Sequence, residues 1–263
     1  MKTIFKFSIM LLAAHCAFAA IKMETVEYKE GDTTLEGVLI YDDSFVHRRP
    51  GVLIAHQWKG LTDYEKKRGE MLAKLGYVAF AADIYGKGTR PKVVQEASQF
   101  AGKYKSDSDL LRRRVKAGFE QLKKSRFVDP QKTAAIGYCF GGTTVLELAR
   151  LGADVDGVVS FHGGLGTPTP EDAKNIKAKV LALHGADDPH VPPAEEHAFE
   201  AEMREAKVDW QLVAYGNAVH SFTDWNAGND NSKGSAYNEK ADKRSWEDMK
   251  DFFNELFGSA ETR

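Results

Sequence analysis

The chain has little of several features that would define other protein classes. Its 263 residues include two cysteines and 8 prolines, so neither a disulfide framework nor a proline-rich low-complexity chain is expected. Neither sign of charge dominates, because 36 Lys and Arg residues stand against 38 Asp and Glu residues. We therefore expect no basic surface for nucleic acid or for an anionic membrane. The length suits one large α/β domain.

Long apolar runs are also scarce, and the N-terminal one is short. Lys2 and Lys6 precede an apolar stretch over residues 7–14, and Ala17 and Ala19 then place small side chains before a possible cleavage point. This pattern is typical of a secretory signal peptide cut after Ala19. We expect residues 1–19 to be removed and the protein to be secreted or periplasmic.

Two other interpretations of this N-terminal segment stay open. An anchor helix would need an apolar run of ~20 residues, which this stretch does not reach. Lipid attachment at Cys16 is disfavoured by the bulky His15 before it. If the signal peptide is cleaved, Cys139 becomes the single cysteine, and we then expect no membrane association.

Residues 20–263 alternate short runs of Val, Ile and Ala with amphipathic segments. This alternation predicts one α/β domain with a doubly wound, mostly parallel sheet flanked by helices. An antiparallel hairpin is expected at residues 25–39, and Thr62 with Glu65 forms a capping box that predicts a helix start. The basic run Arg112–Arg114 is expected on a solvated helix face. The expected buried strands are 52–55, 77–81, 133–136, 155–159 and 180–183.

Cys139 lies in the segment G-Y-C-F-G-G, between a predicted strand and a predicted helix. This is the setting of a nucleophile elbow, in which glycines allow a tight turn that exposes the central side chain. The N-terminus of the following helix would lower the pKa of the thiol and favour the thiolate. A buried, inert cysteine is the alternative.

A nucleophile of this kind requires a base and an acid later in the chain. The segment H-G-A-D-D-P-H-V-P at 184–192 follows a predicted strand, and Asp188 occupies its acid position, with Asp187 as the rival. His220 follows the last predicted strand and is the expected base. A metal site of His184, His190 and His197 has poor spacing, so we expect no metal and no cofactor.

These three segments, with H-S-F at 220–222, resemble the dienelactone hydrolase family of the α/β-hydrolase fold across nearly all of residues 25–257. The resemblance implies a catalytic triad of Cys139, His220 and Asp188. It also implies an oxyanion hole made by the backbone N–H groups of Phe140 and Trp58. The expected activity is that of a carboxylic ester or lactone hydrolase resembling carboxymethylenebutenolidase, working through an acyl-cysteine intermediate.

Two positions differ from the family's pattern. Gln57 stands where family members carry a glutamate that helps to deprotonate the cysteine, so activation is expected to depend on His220. Asp224 stands where an arginine would hold the dienelactone carboxylate, so we expect a substrate other than dienelactone. The residues expected to bind the substrate are Gln57, Tyr85, His162 and Phe222.

The expected partner is a small ester or lactone, and a monomer is favoured. Within enzymes, a thioesterase or an acyltransferase could use the same three residues. Outside enzymes, the neutral Gln57 is compatible with a catalytically weakened binding protein.

Overall fold

The computed structural model describes residues 20–258. The predicted signal peptide over residues 1–19, including Cys16, lies outside the described residues. Among residues 20–258, no helix combines the length and the apolar character that crossing a membrane requires.

One eight-stranded sheet runs through the described chain, in the order β1-β2-β4-β3-β5-β6-β7-β8. The first two strands form an antiparallel hairpin, and β2 lies antiparallel to β4. All other neighbouring strands are parallel. The predicted doubly wound, mostly parallel α/β fold is therefore confirmed. The strands are β1 (Ile21–Glu30), β2 (Thr33–Asp42), β3 (Arg49–Ala55), β4 (Val78–Ala82), β5 (Val128–Tyr138), β6 (Gly157–Phe161), β7 (Lys179–Gly185) and β8 (Trp210–Tyr215).

Helices cover both faces of the sheet and bury a separate apolar core on each. One core includes Val115, Leu148 and Phe199, and the other includes Leu72 and Phe253. The helices are α1 (Asp63–Lys74), α2 (Val94–Ser106), α3 (Ser108–Lys123), α4 (Phe140–Arg150), α5 (Pro193–Glu205) and α6 (Glu239–Phe257), with short 3-10 helices at Pro170–Asn175 and Asn231–Lys233.

The capping box begins α1 as predicted. The Thr62 hydroxyl accepts from the backbone N–H of Tyr64 at 3.3 Å, and the Glu65 carboxylate accepts from that of Thr62 at 2.7 Å. Together these bonds satisfy donors that a helix leaves unpaired at its start. This capping places α1 directly after the loop that carries Gln57 and Trp58.

The basic run on α3 does not form the solvated face that its charge suggested. Arg112 and Arg114 are 8% and 7% exposed, whereas Arg113 lies at the surface. Arg112 contacts the carboxylates of Glu147 and Asp172, each at 2.7 Å. The prediction was wrong for two of the three arginines, because carboxylates distant in the sequence pair with them inside the fold.

Candidate active site

The turn between β5 and α4 holds Cys139 in a strained backbone conformation. Its φ of 56° and ψ of −116° lie in a region that residues with side chains rarely adopt. A Cβ on Gly137 would lie 1.9 Å from the carbonyl oxygen of Gly141, and one on Gly141 would lie 2.1 Å from that of Ala55. Only glycine fits at these two positions, so the sequence pattern permits the turn that leaves the thiol partly exposed.

His220 and Asp188 complete a connected row with Cys139. The Nε2 atom of His220 lies 3.0 Å from the Cys139 Sγ, and its Nδ1 atom lies 2.8 Å from Asp188 Oδ2. His220 follows β8 and Asp188 follows β7, so adjacent parallel strands bring both to the same edge of the sheet as the elbow. The structure thus brings together the three residues predicted as a triad.

Asp187 and Asp188 occupy different environments, although they are adjacent in the chain. Asp188 is buried, and its second carboxylate oxygen accepts from the backbone N–H of His190 at 2.8 Å. Asp187 is exposed, and its backbone N–H donates to the carbonyl of Ala218 at 3.0 Å. Asp188, and not its rival, is therefore the carboxylate that orients His220.

The charges of Cys139 and His220 stabilise each other. Burial alone would raise the pKa of the Cys139 thiol, but the positive charge and hydrogen bond of His220 outweigh it, and the pKa falls below its usual value. Burial alone would lower the pKa of His220, but the Cys139 thiolate and the hydrogen bond to Asp188 raise that pKa to about 10. The contact between the two side chains therefore favours the thiolate form of Cys139 and the protonated form of His220 together.

The predicted oxyanion hole consists of the backbone N–H groups of Phe140 and Trp58. The N–H of Phe140, at the start of α4, interacts with the Cys139 sulfur and helps to lower the pKa of the thiol. The N–H of Trp58 has no hydrogen-bond acceptor within residues 20–258. Trp58 and Phe140 both border the cavity that contains the thiol, so both are available to a bound group.

A buried carboxylate supports the loop that carries Trp58. Glu65 is 0% exposed, and one of its oxygens accepts from the backbone N–H of Gln57 at 3.1 Å while the other contacts Thr62. Burial raises the pKa of Glu65, which these hydrogen bonds partly offset. The helix cap and the loop conformation therefore depend on the same side chain.

The cavity at the thiol has a volume of about 520 Å³. It is lined by six parts of the fold: the loop after β3, helix α2, the elbow, and the segments that follow β6, β7 and β8. Its lining residues are Trp58, Ser98, Ala101, Gly102, Lys105, Cys139, Phe140, Gly164, His190, Val191, His220, Ser221 and Ser235.

None of the four residues predicted to bind the substrate borders this cavity. Gln57 is 7% exposed and Tyr85 is 5% exposed, while His162 and Phe222 are fully buried. The Tyr85 hydroxyl donates to the Trp58 carbonyl at 3.0 Å, so Tyr85 supports the cavity wall from behind. His162 lies beneath the elbow, where its ring contacts the Cys139 N–H, and Phe222 packs against His162 with 5.1 Å between ring centroids.

Asp224 also lies away from the cavity. Its carboxylate accepts from the side-chain amide of Gln57 at 3.4 Å. Lys105 borders the cavity and brings a positive charge to it, whereas no Asp or Glu is among the described residues that line it. The expected repulsion of an anionic substrate by Asp224 therefore has no basis in this geometry.

Sequence reasoning missed helix α2 and, with it, Lys105. The helix buries Ala97, Ala101 and Tyr104, a helical spacing that could have been recognised in the sequence. The sequence did not lead us to place His190 beside the base, but its ring packs against that of His220 with 5.1 Å between centroids. His190 stands inside the acid-bearing segment, so its position near the base could have been anticipated.

Known proteins resemble this chain in sequence and in fold. A chain described as a dienelactone hydrolase-like promiscuous phosphotriesterase from metagenomic libraries is 43% identical, with a TM-score of 0.87 over 91% of this chain and 100% of that one. An uncharacterised protein of Caenorhabditis elegans is 36% identical over 152 residues, which cover 56% of this chain and 94% of that protein.

A protein of Aquifex aeolicus bearing the name "Putative carboxymethylenebutenolidase" is 28% identical over 209 residues, covering 78% of this chain and 87% of that protein. The sequence profile of the dienelactone hydrolase family matches residues 35–257, from the hairpin to the end of α6. The chain belongs to the dienelactone hydrolase family.

Proposed function

We propose that the protein hydrolyses an ester or lactone bond of a small molecule through an acyl-cysteine intermediate. The observation that carries this proposal is the row Cys139, His220 and Asp188, joined by contacts of 3.0 and 2.8 Å at the wall of a cavity. A thiol in direct contact with a histidine that can take its proton needs no further base for attack. Activation through His220 also fits the position of Gln57, whose amide faces Asp224.

In the first half of the reaction, the Cys139 thiolate attacks the carbonyl carbon and forms a C–S bond. The carbonyl electron pair moves to oxygen, and the N–H groups of Phe140 and Trp58 stabilise the oxyanion. When the oxyanion collapses, the C–O bond breaks and the alcohol leaves with the Nε2 proton of His220. Loss of one oxyanion donor typically costs ~2.7–4 kcal/mol of transition-state stabilisation.

In the second half, neutral His220 takes a proton from water as the water attacks the acyl carbon. The second oxyanion collapses, the C–S bond breaks, and the thiolate is restored beside protonated His220 while the acid leaves. Asp188 holds the imidazole in the orientation that both steps require.

The test is hydrolysis of p-nitrophenyl acetate and butyrate, with mass analysis of the protein during turnover. We expect the wild-type chain to carry an acyl adduct on Cys139, and Cys139→Ala to lose about 10³-fold or more of the activity. Undiminished activity in Cys139→Ala would overturn the proposal.

Two alternatives use the same site and give different results. A thioesterase or acyltransferase would form the adduct but prefer thioester donors or pass the acyl group to an alcohol acceptor. A weakened binding protein would show neither turnover nor rapid reaction of Cys139 with iodoacetamide.

A second candidate activity is the hydrolysis of phosphotriesters, since the 43% identical relative is described as a promiscuous phosphotriesterase. The thiolate would attack phosphorus, forming a P–S bond while p-nitrophenolate leaves, and water would then cleave that bond. Paraoxon should release p-nitrophenolate with the wild-type chain and not with Cys139→Ala. Equal release by both proteins would exclude this activity at Cys139.

The charge of the substrate is best tested with matched compounds. Dienelactone is anionic, and the Asp224 argument against it fails because Asp224 does not border the cavity. Comparing kcat/KM for a neutral lactone and for its carboxylate-bearing analogue therefore decides whether the site prefers a neutral or an anionic substrate. We keep the proposal that a lactone or ester other than dienelactone is the preferred substrate, because no arginine borders the described cavity to hold the dienelactone carboxylate. A higher kcat/KM for dienelactone would refute it.

We further propose that the chain is exported and cut after Ala19, on the pattern of Lys2, Lys6 and the A-F-A segment. N-terminal sequencing of the protein recovered outside the cytoplasm should begin at Ala20. Recovery of the uncut chain in the cytoplasm alone would contradict this proposal.

A further inference from the structure

A buried hydrogen-bond chain lies behind the elbow and contains no member of the proposed triad. We define it as His162, Thr223, Tyr64, Arg68 and Asp242. His162 and Thr223 are 0% exposed, Arg68 is 1% exposed, and Tyr64 and Asp242 are also buried. Such a polar group inside a core is stable only when its donors and acceptors are satisfied.

His162 contacts the backbone of the nucleophile directly. Its Nδ1 atom accepts from the Cys139 N–H at 3.1 Å, and the same N–H also donates to the Phe161 carbonyl at 3.0 Å. His162 itself has a φ of 41°, so the residues facing each other here both have left-handed backbone conformations. Two strained backbones are thus held together by one side chain.

The contacts determine the proton positions along the chain. Because Nδ1 of His162 accepts, the ring proton lies on Nε2, which donates to the Thr223 hydroxyl oxygen at 2.7 Å. The Thr223 hydroxyl then donates to the Tyr64 oxygen at 2.6 Å, and the Tyr64 hydroxyl donates to the Thr223 carbonyl at 3.2 Å. Every polar hydrogen of these three side chains has an acceptor.

Arg68 and Asp242 form the end of the hydrogen-bond chain that lies farthest from Cys139. It donates to the Tyr64 oxygen at 3.1 Å, to the Thr223 carbonyl at 2.9 Å and to Asp242 on α6 at 2.5 Å. Burial, together with the positive charges of His220 and Arg68, lowers the pKa of His162 well below its usual value. His162 therefore stays neutral beside protonated His220, whose ring centroid is 5.3 Å away.

The chain joins the two segments that must meet for the reaction. His162 holds the elbow that carries Cys139, and Thr223 lies three residues after His220 in the same loop. The His162–Thr223 contact therefore connects the nucleophile segment to the base segment from beneath. A displacement of about 1 Å at reacting groups can cost ~10²-fold in rate.

We propose that His162 and Thr223 are positioning residues whose mutual hydrogen bond sets the distance between the Cys139 Sγ and His220 Nε2. The proposal rests on the proposed function for its kinetic readout. It makes His162 a neutral support for the elbow, in place of the substrate contact that the sequence suggested.

The central experiment compares Thr223→Val with Thr223→Ser. Valine has nearly the same shape but cannot accept from His162 Nε2, whereas serine keeps the hydroxyl. We expect Thr223→Val to lower kcat for p-nitrophenyl butyrate about 10- to 100-fold with KM within about twofold, and to slow Cys139 alkylation by iodoacetamide at neutral pH. Thr223→Ser should stay within about threefold of the wild type in both measurements.

The matched control for the loss of a buried hydroxyl is Tyr138→Phe. Tyr138 directly precedes Cys139 and is buried, and its hydroxyl has no hydrogen-bond partner in the described part of the chain. This variant should keep the wild-type kcat and alkylation rate. If Tyr138→Phe and Thr223→Val lose activity equally, the loss reflects general disturbance of the core and the proposal fails.

Variants at His162 provide an independent test. Asn tolerates positive φ and can offer a side-chain oxygen where Nδ1 accepts from the Cys139 N–H, whereas Leu cannot. We expect His162→Asn to retain at least about tenfold more kcat than His162→Leu, measured on folded protein. Equal kcat in these two variants would overturn the role of His162.

The outcomes separate this proposal from the proposed function. If Cys139→Ala is inactive while Thr223→Val matches the wild type in kcat and alkylation, the positioning proposal alone fails. If Cys139→Ala keeps its activity, the acyl-cysteine function fails, and the alkylation rates still decide whether Thr223 and His162 position the thiol.

Discussion

The two ends of helix α4 hold ionic clusters that differ in how completely their charges are paired. At its C-terminal end, Arg150 donates to Glu147, to Glu202 twice and to the Leu165 carbonyl, at distances of 2.8 to 3.0 Å. At its N-terminal end, the Cys139 sulfur contacts His220 at 3.0 Å and borders a cavity. Both clusters suit the helix dipole, which favours a cation such as Arg150 at the C-terminus and negative charge on the Cys139 sulfur at the N-terminus.

The two clusters differ in whether protein groups surround the charged atom on every side. Arg150 is 1% exposed, and protein acceptors surround its guanidinium, so it serves the scaffold. The Cys139 sulfur borders a cavity, and its contact with His220 leaves its cavity side open. In this protein the fully paired charge lies inside the scaffold, and the pair with an open side borders the cavity.

The largest expected effect is at the open cluster, in the comparison of Asp188→Asn with Asp187→Asn. Asn at 188 cannot hold the imidazolium or its orientation, so kcat/KM for p-nitrophenyl butyrate should fall about 10²- to 10⁴-fold. Asp187→Asn, one residue away at the surface, should stay within about threefold. Equal losses in the two variants would refute the role of Asp188.

At the saturated cluster, Arg150→Met should affect stability and spare the chemistry. It leaves Glu202 without its buried partner, while Glu147 keeps its contact with Arg112, and breaking such a buried pair typically costs about 3–5 kcal/mol of unfolding free energy. Arg113→Met, which removes an exposed pair with Glu30, should cost no more than about 1 kcal/mol.

Urea unfolding measures the stability of both arginine variants, and active-site titration normalises their activity. Activity per folded molecule should equal that of the wild type. A lower kcat in folded Arg150→Met would show that the two ends of α4 are coupled.

The pH dependence separates the two titrating groups of the open cluster. As pH falls below the lowered pKa of the Cys139 thiol, the thiolate is protonated, and alkylation by iodoacetamide should drop about tenfold per pH unit. As pH rises through about 10, His220 loses its proton, so kcat/KM for esters with poor leaving groups should fall while alkylation continues.

The smallest expected effect is at Lys105. Its positive charge helps to lower the pKa of the Cys139 thiol, so Lys105→Gln should raise that pKa slightly and slow alkylation about two- to threefold below it. Lys103→Gln removes a charge from the same helix at a residue that does not border the cavity, and it should leave the rate unchanged. An equal slowing in both variants would assign the effect to overall charge.

Much of the fold could be predicted because its signals are local. The apolar runs of β3 to β7 and the capping box at Thr62 and Glu65 require no knowledge of distant residues, and all were confirmed. Helix α2 was missed because two of its three buried positions are the small residues Ala97 and Ala101, which give a weak apolar signal.

The candidate site divides in the same way. Cys139, His220 and Asp188 stand at the ends of strands, and parallel strands bring those ends to one edge, so order along the chain was sufficient to select them. The residues that surround these three could not be predicted from their order along the chain. His162 was expected in the cavity and lies beneath the elbow, and Asp224 was expected at the cavity mouth and contacts Gln57.

Glycine spacing and strand ends are properties of the local chain, so the amino-acid order was sufficient to predict the family, the sheet and the three residues of the proposed triad. Which charges have protein partners on all sides, and which face a cavity, depended on how the chain folds. Arg112 and Arg150 find their carboxylates across the fold, and His162 finds Thr223 from another loop. The physical reason is that a charge or polar group is defined by its partners, and burial brings those partners from distant parts of the chain.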